Sequence, residues 1–143
     1  MAVEIMREIA RAEVKKLPKN ELGIVKAVFP HSSTGDKDNY ECNVELKNTG
    51  LELQKVPVAT QHIGLANIPN VGDLVMVTYI DGDIRSPVIV GRLYNDEDRP
   101  PLNKEKEFLL EFPSGLRIRV NDDDILMEAG KSKMIIKRNG DIT

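Results

Sequence analysis

The chain has 143 residues, 41% apolar and 30% charged, with a formal net charge of −3. That allows one small domain with a modest core plus an appendage. Three Tyr, three Phe and no Trp leave few platforms for stacking on bases or sugars. Basic and acidic residues number four and three over 1–17, eight and twelve over 18–100, and eight and eight over 101–143. No stretch has the basic stripe of a nucleic-acid binder, so no nucleic-acid partner is expected.

Residues 2–17 read as a short helix. Val3, Met6, Ala10, Val14 and Leu17 recur at three- and four-residue spacing, and Ile5 and Ile9 widen the stripe. Glu4, Arg7, Glu8, Arg11 and Lys15 cover the other side, and Pro18 stops the run. A helix this short is marginal alone, so its apolar side needs a surface, on its own domain or on a neighbouring subunit. The start lacks the basic-then-apolar pattern of a secretion leader. No run approaches the ~20 apolar residues of a membrane span. Synthesis in the cytoplasm without a signal peptide is the expectation.

Five short strands are predicted next, over residues 23–29, 40–46, 53–60, 73–80 and 87–94. Pro30 ends the first, and a polar loop over 31–39 follows. The second alternates cleanly around Cys42. As a single cysteine it can form no intrachain disulfide, and it reads as a small residue of a sheet. Pro57 marks an edge or bulge in the third strand. In the fourth, Leu74-Val75-Met76-Val77-Thr78-Tyr79-Ile80 is too apolar for a strand wet on one face. Asp81-Gly82-Asp83 makes a tight turn into the fifth. Five such strands without an intervening helix predict a small closed barrel, most simply of OB type. Gly72 suits a positive φ or close approach. Asp73 suits side-chain bonding to turn amides, Gly82 a hairpin turn, and Gly91 a bulge or barrel corner.

Residues 96–107 are charged, contain Pro100 and Pro101, and lack apolar period, the pattern of a linker. From 108 to 143, strands of four or five residues recur with turns about every ten residues: 108–112, 116–120, 125–129, 134–137 and 142–143. This is the rhythm of a β-solenoid or interwoven β-helix. A ribbon of such strands has too little contact in one copy to offset its ordering entropy. Yet it carries Leu116, Ile118, Val120, Ile125, Met127, Met134 and Ile136. Winding identical copies around one axis would satisfy them. That reasoning predicts an obligate homo-oligomer without fixing the copy number.

Rival chemistry finds little support. Asp122-Asp123-Asp124 and Asp96-Glu97-Asp98 lack the alternating oxygens and Gly of a calcium loop, and a glycosidase pair would need aromatic platforms. His31 and His62 lie in predicted loops. Ser32-Ser33-Thr34-Gly35 lacks the Gly-Lys-Ser/Thr ending of a phosphate loop, and Gly130-Lys131-Ser132 lacks its upstream Gly and following helix. No catalytic residue, metal site or cofactor is expected, and no enzyme activity.

Several motifs occur together in order. They are Pro69-Asn70-Val71-Gly72-Asp73-Leu74-Val75-Met76-Val77, then Asp81-Gly82-Asp83, then Ser86-Pro87-Val88-Ile89-Val90-Gly91-Arg92-Leu93-Tyr94. Val56-Pro57-Val58-Ala59-Thr60 lies upstream, and Ile125-Leu126-Met127-Glu128-Ala129-Gly130 and Met134-Ile135-Ile136-Lys137-Arg138-Asn139-Gly140 lie downstream. Over about residues 20–143 the pattern resembles phage baseplate assembly protein V and the VgrG spike proteins. The resemblance implies a mainly β chain. It has a short N-terminal α-helix (1–20), a five-stranded OB-type barrel (21–95), a linker (96–107) and the start of an intertwined homotrimeric β-helix needle (108–143). It implies a structural central spike of a contractile injection system, or phage-tail-like baseplate, that punctures a target-cell membrane. Its partners would be two further copies, a baseplate hub protein at the end of the tail tube, and a PAAR-type tip protein. Its place would be a virion or phage-tail-like particle. Some relatives end in an iron-binding His-x-His tip; His31 and His62 both precede the tail, so no metal is expected. The stop on Ile142-Thr143 fits a shortened chain somewhat better than a blunt end under a separate tip. The alternative is an OB-fold nucleic-acid-binding module, since a barrel does not fix function.

Overall fold

A computed structural model describes residues 1–16 and 19–143. Leu17 and Pro18, expected to close the helical stripe and stop the helix, lie outside the described residues. The chain divides into two compact units, Met1–Asn95 and Asp96–Thr143.

In the first unit, α1 spans Ala2–Lys16. The barrel strands are β1 (Glu21–Phe29), β2 (Glu41–Leu46), β3 (Glu52–Pro57), β4 (Leu74–Tyr79) and β5 (Pro87–Leu93). Their order across the sheet is β3-β2-β1-β4-β5, antiparallel at each named pairing. Residues 58–60, expected to continue the third strand, leave it instead. Pro57 has no N–H for a ladder, and beyond it the chain changes partner. Val58 bridges Ile89 in parallel, and the Ala59 N–H donates to the Ile89 carbonyl at 2.9 Å. This crossing brings the end of β3 to β5 and closes the sheet into an OB-type barrel.

Closure puts Val25, Cys42, Val44, Leu46, Val56, Val75, Val77, Tyr79 and Ile89 into one buried core. Alternation of two residues along each strand accounts for that set. Of the three register shifts in the sheet, two bulges flank the central strands and help them bend. One sits where Val25 and Ala27 shift register against β2, the other where Val77 pairs with Ile89 and Met76 with Gly91, leaving Val90 extra. Near Pro57 the Lys55 backbone adopts a φ of +50°, and its N–H is taken by the Asn43 side chain at 2.9 Å.

The second unit carries β6 (Phe108–Glu111), β7 (Arg117–Val120), β8 (Asp124–Ala129) and β9 (Ser132–Lys137) in one antiparallel meander, in that order. Ile142 adds a bridge to Ile136, and Thr143 and Ile135 exchange both backbone hydrogen bonds. Gly130 and Lys131 form the two-residue turn between β8 and β9, since Ala129 pairs directly with Ser132. Two of the turns sit where their polar residues supply local bonds. The Asn121 side chain accepts from the Asp123 and Asp124 amides at 2.9 Å, and Asn139 accepts from the Asp141 amide at 2.9 Å.

Gly23 is a packing requirement that sequence patterning misses. It lies in the core layer between Leu46 and Val75, and a Cβ there would run into the Val44 Cγ1. Gly23→Ala is expected to destabilise the chain by about 1–3 kcal/mol, the usual cost of overpacking a tight core. Thermal or denaturant unfolding beside Gly35→Ala, whose Cβ would meet open space, measures the difference.

Candidate assembly surface

Two of the four residues expected to define the barrel turns, Gly72 and Asp73, hold the long β3–β4 connection against the barrel. Gly72 has a φ of +96°, which an L side chain resists. Its N–H donates to the Val25 carbonyl at 2.9 Å, and the Asp73 carbonyl accepts from the Val25 N–H at 3.0 Å. The Asp73 carboxylate accepts from the Asn70 amide at 2.8 Å. Arg92 donates to the Asn67 carbonyl at 2.7 Å, and the Tyr40 hydroxyl accepts from the Asn67 amide at 2.9 Å. Asp81 and Gly82 both have positive φ, +53° and +69°, the mirror-image turn that suits a twisted hairpin. Gly91 lies beside the Val90 bulge and has no positive φ of its own.

Polar loops of the barrel are likewise occupied by their own contacts. Asp36 accepts from the Asp38 amide and from both the amide and hydroxyl of Ser32. These bonds, the Asp38 amide first, hold its pKa below the ordinary carboxylate value. The His31 Nδ1 donates to the Asp38 carbonyl at 2.9 Å. Tyr79 donates its hydroxyl to Glu21 at 2.6 Å. Burial first, then that carboxylate, pushes its pKa up to about 12. A cleft of about 350 Å³ is lined by Tyr40, Thr60, Asn67, Ile89, Gly91 and Arg92. Two of its polar side chains, Tyr40 and Arg92, are the ones that tether Asn67. Among the described residues, no group of three His, Cys, Asp or Glu is placed to hold a metal ion. Among them, too, no helix is long and apolar enough to cross a membrane.

The second unit is organised differently. Register sets Phe108 opposite Val120, Val120 opposite Ile125, and Ile125 opposite Ile136, which bridges Ile142. The next row on the same face runs Leu110, Ile118, Met127, Met134. Phe112 and Leu116 join by a backbone bond at the hairpin. Directly opposed residues point to the same side of a sheet. Leu116, Ile118, Val120, Ile125, Met127, Met134 and Ile136 therefore lie together on one face. Ile118 is half-buried, and the other six are 36–46% exposed.

The opposite face carries the charge. Its rows are Leu109, Arg119, Leu126, Ile135 and Glu111, Arg117, Glu128, Lys133. Arg119 pairs with Asp124 at 2.9 Å, and Glu128 lies 3.9 Å from Arg117 and 4.0 Å from Lys133. Leu126, the unit's buried apolar residue among those described, sits on this face between Arg119 and Ile135. An antiparallel sheet normally turns its charged face to water and its apolar face to a second layer. Here the charged face is formed, and among the described residues no second layer covers the apolar one.

Residues 54–94 match the family model described as the type VI secretion system/phage-baseplate injector OB domain. Over that segment the chain is similar to the injector OB domain of phage baseplates and type VI secretion systems. Over 83 residues, 57% of its length, it is 32% identical to the type VI secretion system spike proteins VgrG2a and VgrG2b of Pseudomonas aeruginosa. It spans 9% and 7% of those two relatives. The matched segment of the injector OB domain holds β4, β5, the barrel-closing bridge and the Gly72, Asp73 and Arg92 tethers. The family's motif residues thus act on barrel shape.

In the core of the injector OB barrel Cys42 is fully buried. Burial foremost raises its pKa to about 11; Arg92 opposes and Asp73 adds to the shift. At pH 8 the native thiol is both shielded and protonated. Its reaction with a thiol-specific chromogenic disulfide is expected to be at least about a hundredfold slower than in denaturant, read as released chromophore over time. Equal rates in the two states would place Cys42 outside a closed core.

Proposed function

We propose that this chain is a structural, non-catalytic subunit of the central spike of a contractile injection system or phage-tail-like baseplate. In this reading residues 1–20 form an N-terminal helix and 21–95 the OB barrel. Residues 96–107 are the linker, and 108–143 are the start of a needle. Three identical copies wind that last segment into an intertwined β-helix. The observation that carries the reading is the uncovered apolar face of β6–β9. Copies brought face to face would enclose Leu116, Ile118, Val120, Ile125, Met127, Met134 and Ile136. The half-buried charged rows around Arg119–Asp124 and Arg117–Glu128 would lie on the other side of the sheet. Burying the exposed part of each such side chain contributes on the order of 1 kcal/mol. Over the seven side chains that adds several kcal/mol per copy, which offsets part of the cost of ordering a thin ribbon.

The injector OB-domain match and the printed spike names of the two relatives support the same setting. The barrel would meet a baseplate hub protein at the end of the tail tube. The needle would point outward, with a PAAR-type protein as its tip. A stiff rod driven by a contracting sheath would puncture the target-cell membrane without chemistry of its own. Assembly would be into a virion or a phage-tail-like particle.

Light scattering of the full chain is expected to give three times its 16.0 kDa. Joint replacement Ile125→Asp and Met127→Asp, on the apolar face, is expected to give single chains with Cys42 still protected in the barrel. A wild-type monomer at high protein concentration would overturn the assembly. If that monomer also retained single-stranded DNA on a filter at low salt, the nucleic-acid-binding alternative would take its place.

A further inference from the structure

A second pair of uncovered apolar surfaces lies in the first unit. The outer face of the barrel is not polar where β1, β4 and β5 adjoin. Register sets Leu22 opposite Met76 and Met76 opposite Gly91, then Ile24 opposite Leu74 and Leu74 opposite Leu93. Their strand neighbours Gly23, Val25, Val75 and Val77 point into the barrel. Leu74 is buried yet stands apart from the core cluster. β4 is therefore apolar on both sides, which explains why its sequence is too oily for a strand with one wet face. Leu22 and Leu93 are 37% and 44% exposed. A Cβ on Gly91 would meet nothing, so the patch has a shallow open floor.

The other surface is α1. Val3, Ile5, Met6, Ile9 and Val14 are 56–69% exposed. Within a single chain, then, the stripe and the patch stand open together. We propose that α1 of one copy packs on the outer face of β1, β4 and β5 of another copy, clasping neighbouring barrels.

Two observations favour a second copy over an unrelated partner. Basic and acidic residues number four and three over 1–17 and six and nine over the barrel, 21–95, so helix and barrel carry opposite, if small, net charges. The helix has 15 residues and is about 22 Å long and 10 Å wide, a footprint of a few hundred Å². That falls below the ~800 Å² per partner of a stable free-standing interface. Such a helix binds well only when another contact already holds its target nearby. Copies joined through β6–β9 supply that contact, so the clasp rests on the homo-oligomer reading above.

The test uses full chains with Cys42→Ala, which removes the one native thiol. One tagged chain carries Ile9→Cys, and a differently tagged, co-expressed chain carries Leu22→Cys or Leu93→Cys. Oxidation is expected to join the two tags covalently, and each such bridge reports the introduced pair alone. Joint replacement Met6→Lys and Ile9→Lys is expected to raise the concentration at which copies dissociate roughly tenfold or more, with the barrel intact. Normal assembly mass without cross-linked tags, or a disulfide formed only within chains carrying both cysteines, overturns the clasp and leaves the homo-oligomer standing. A monomeric wild-type chain removes both.

Discussion

Backbone pairing across β6–β9 lets no apolar residue of one face escape to the other. Each strand alternates, and each register is direct, so Phe108, Val120, Ile125, Ile136 and Ile142 form one row and Leu110, Ile118, Met127 and Met134 the next. A slip of one residue in any strand would mix the rows with Arg117, Arg119, Glu128 and Lys133. Ion pairs on the charged side therefore reinforce the same register that gathers the apolar side. A sheet built this way has a defined inside and outside before it has anything to enclose.

The barrel answers a different demand. It encloses its own core, and its family motif maintains that closure. Gly72 and Asp73 dock on Val25, Arg92 and Tyr40 tether Asn67, and the bulge at Val90 turns β5 to meet Val58. The polar side chains of these loops bond one another, as Asp36 does with Ser32 and Asp38. Such a unit holds its loops by its own side chains. Under the proposed assembly it would carry load between hub and needle, and α1 would add a clasp between barrels.

Much of this is legible in the chain. Period-two alternation marks the strands because a pleated backbone sends successive side chains to opposite faces. Pro, Gly and Asn mark the turns because their backbones or side chains supply what a turn needs. The oily run Leu74–Tyr79 already signals that β4 is apolar on both sides. Gly91 reads in sequence as a bulge or corner residue. The bulge is there, but its extra residue is Val90, and Gly91 instead keeps an outer depression open.

Sequence by itself determined which stretches become strands, which residues alternate, and that the last segment has more apolar side chains than one copy can bury. Those are local or additive properties, set by neighbours along the chain. Only the tertiary structure decided that Val58 and Ala59 reach Ile89 of β5, that Gly23 must clear Val44, and that the apolar rows of β6–β9 align without a charged residue among them. Each depends on two segments distant in sequence meeting at a particular register, and no periodicity within one segment encodes that meeting.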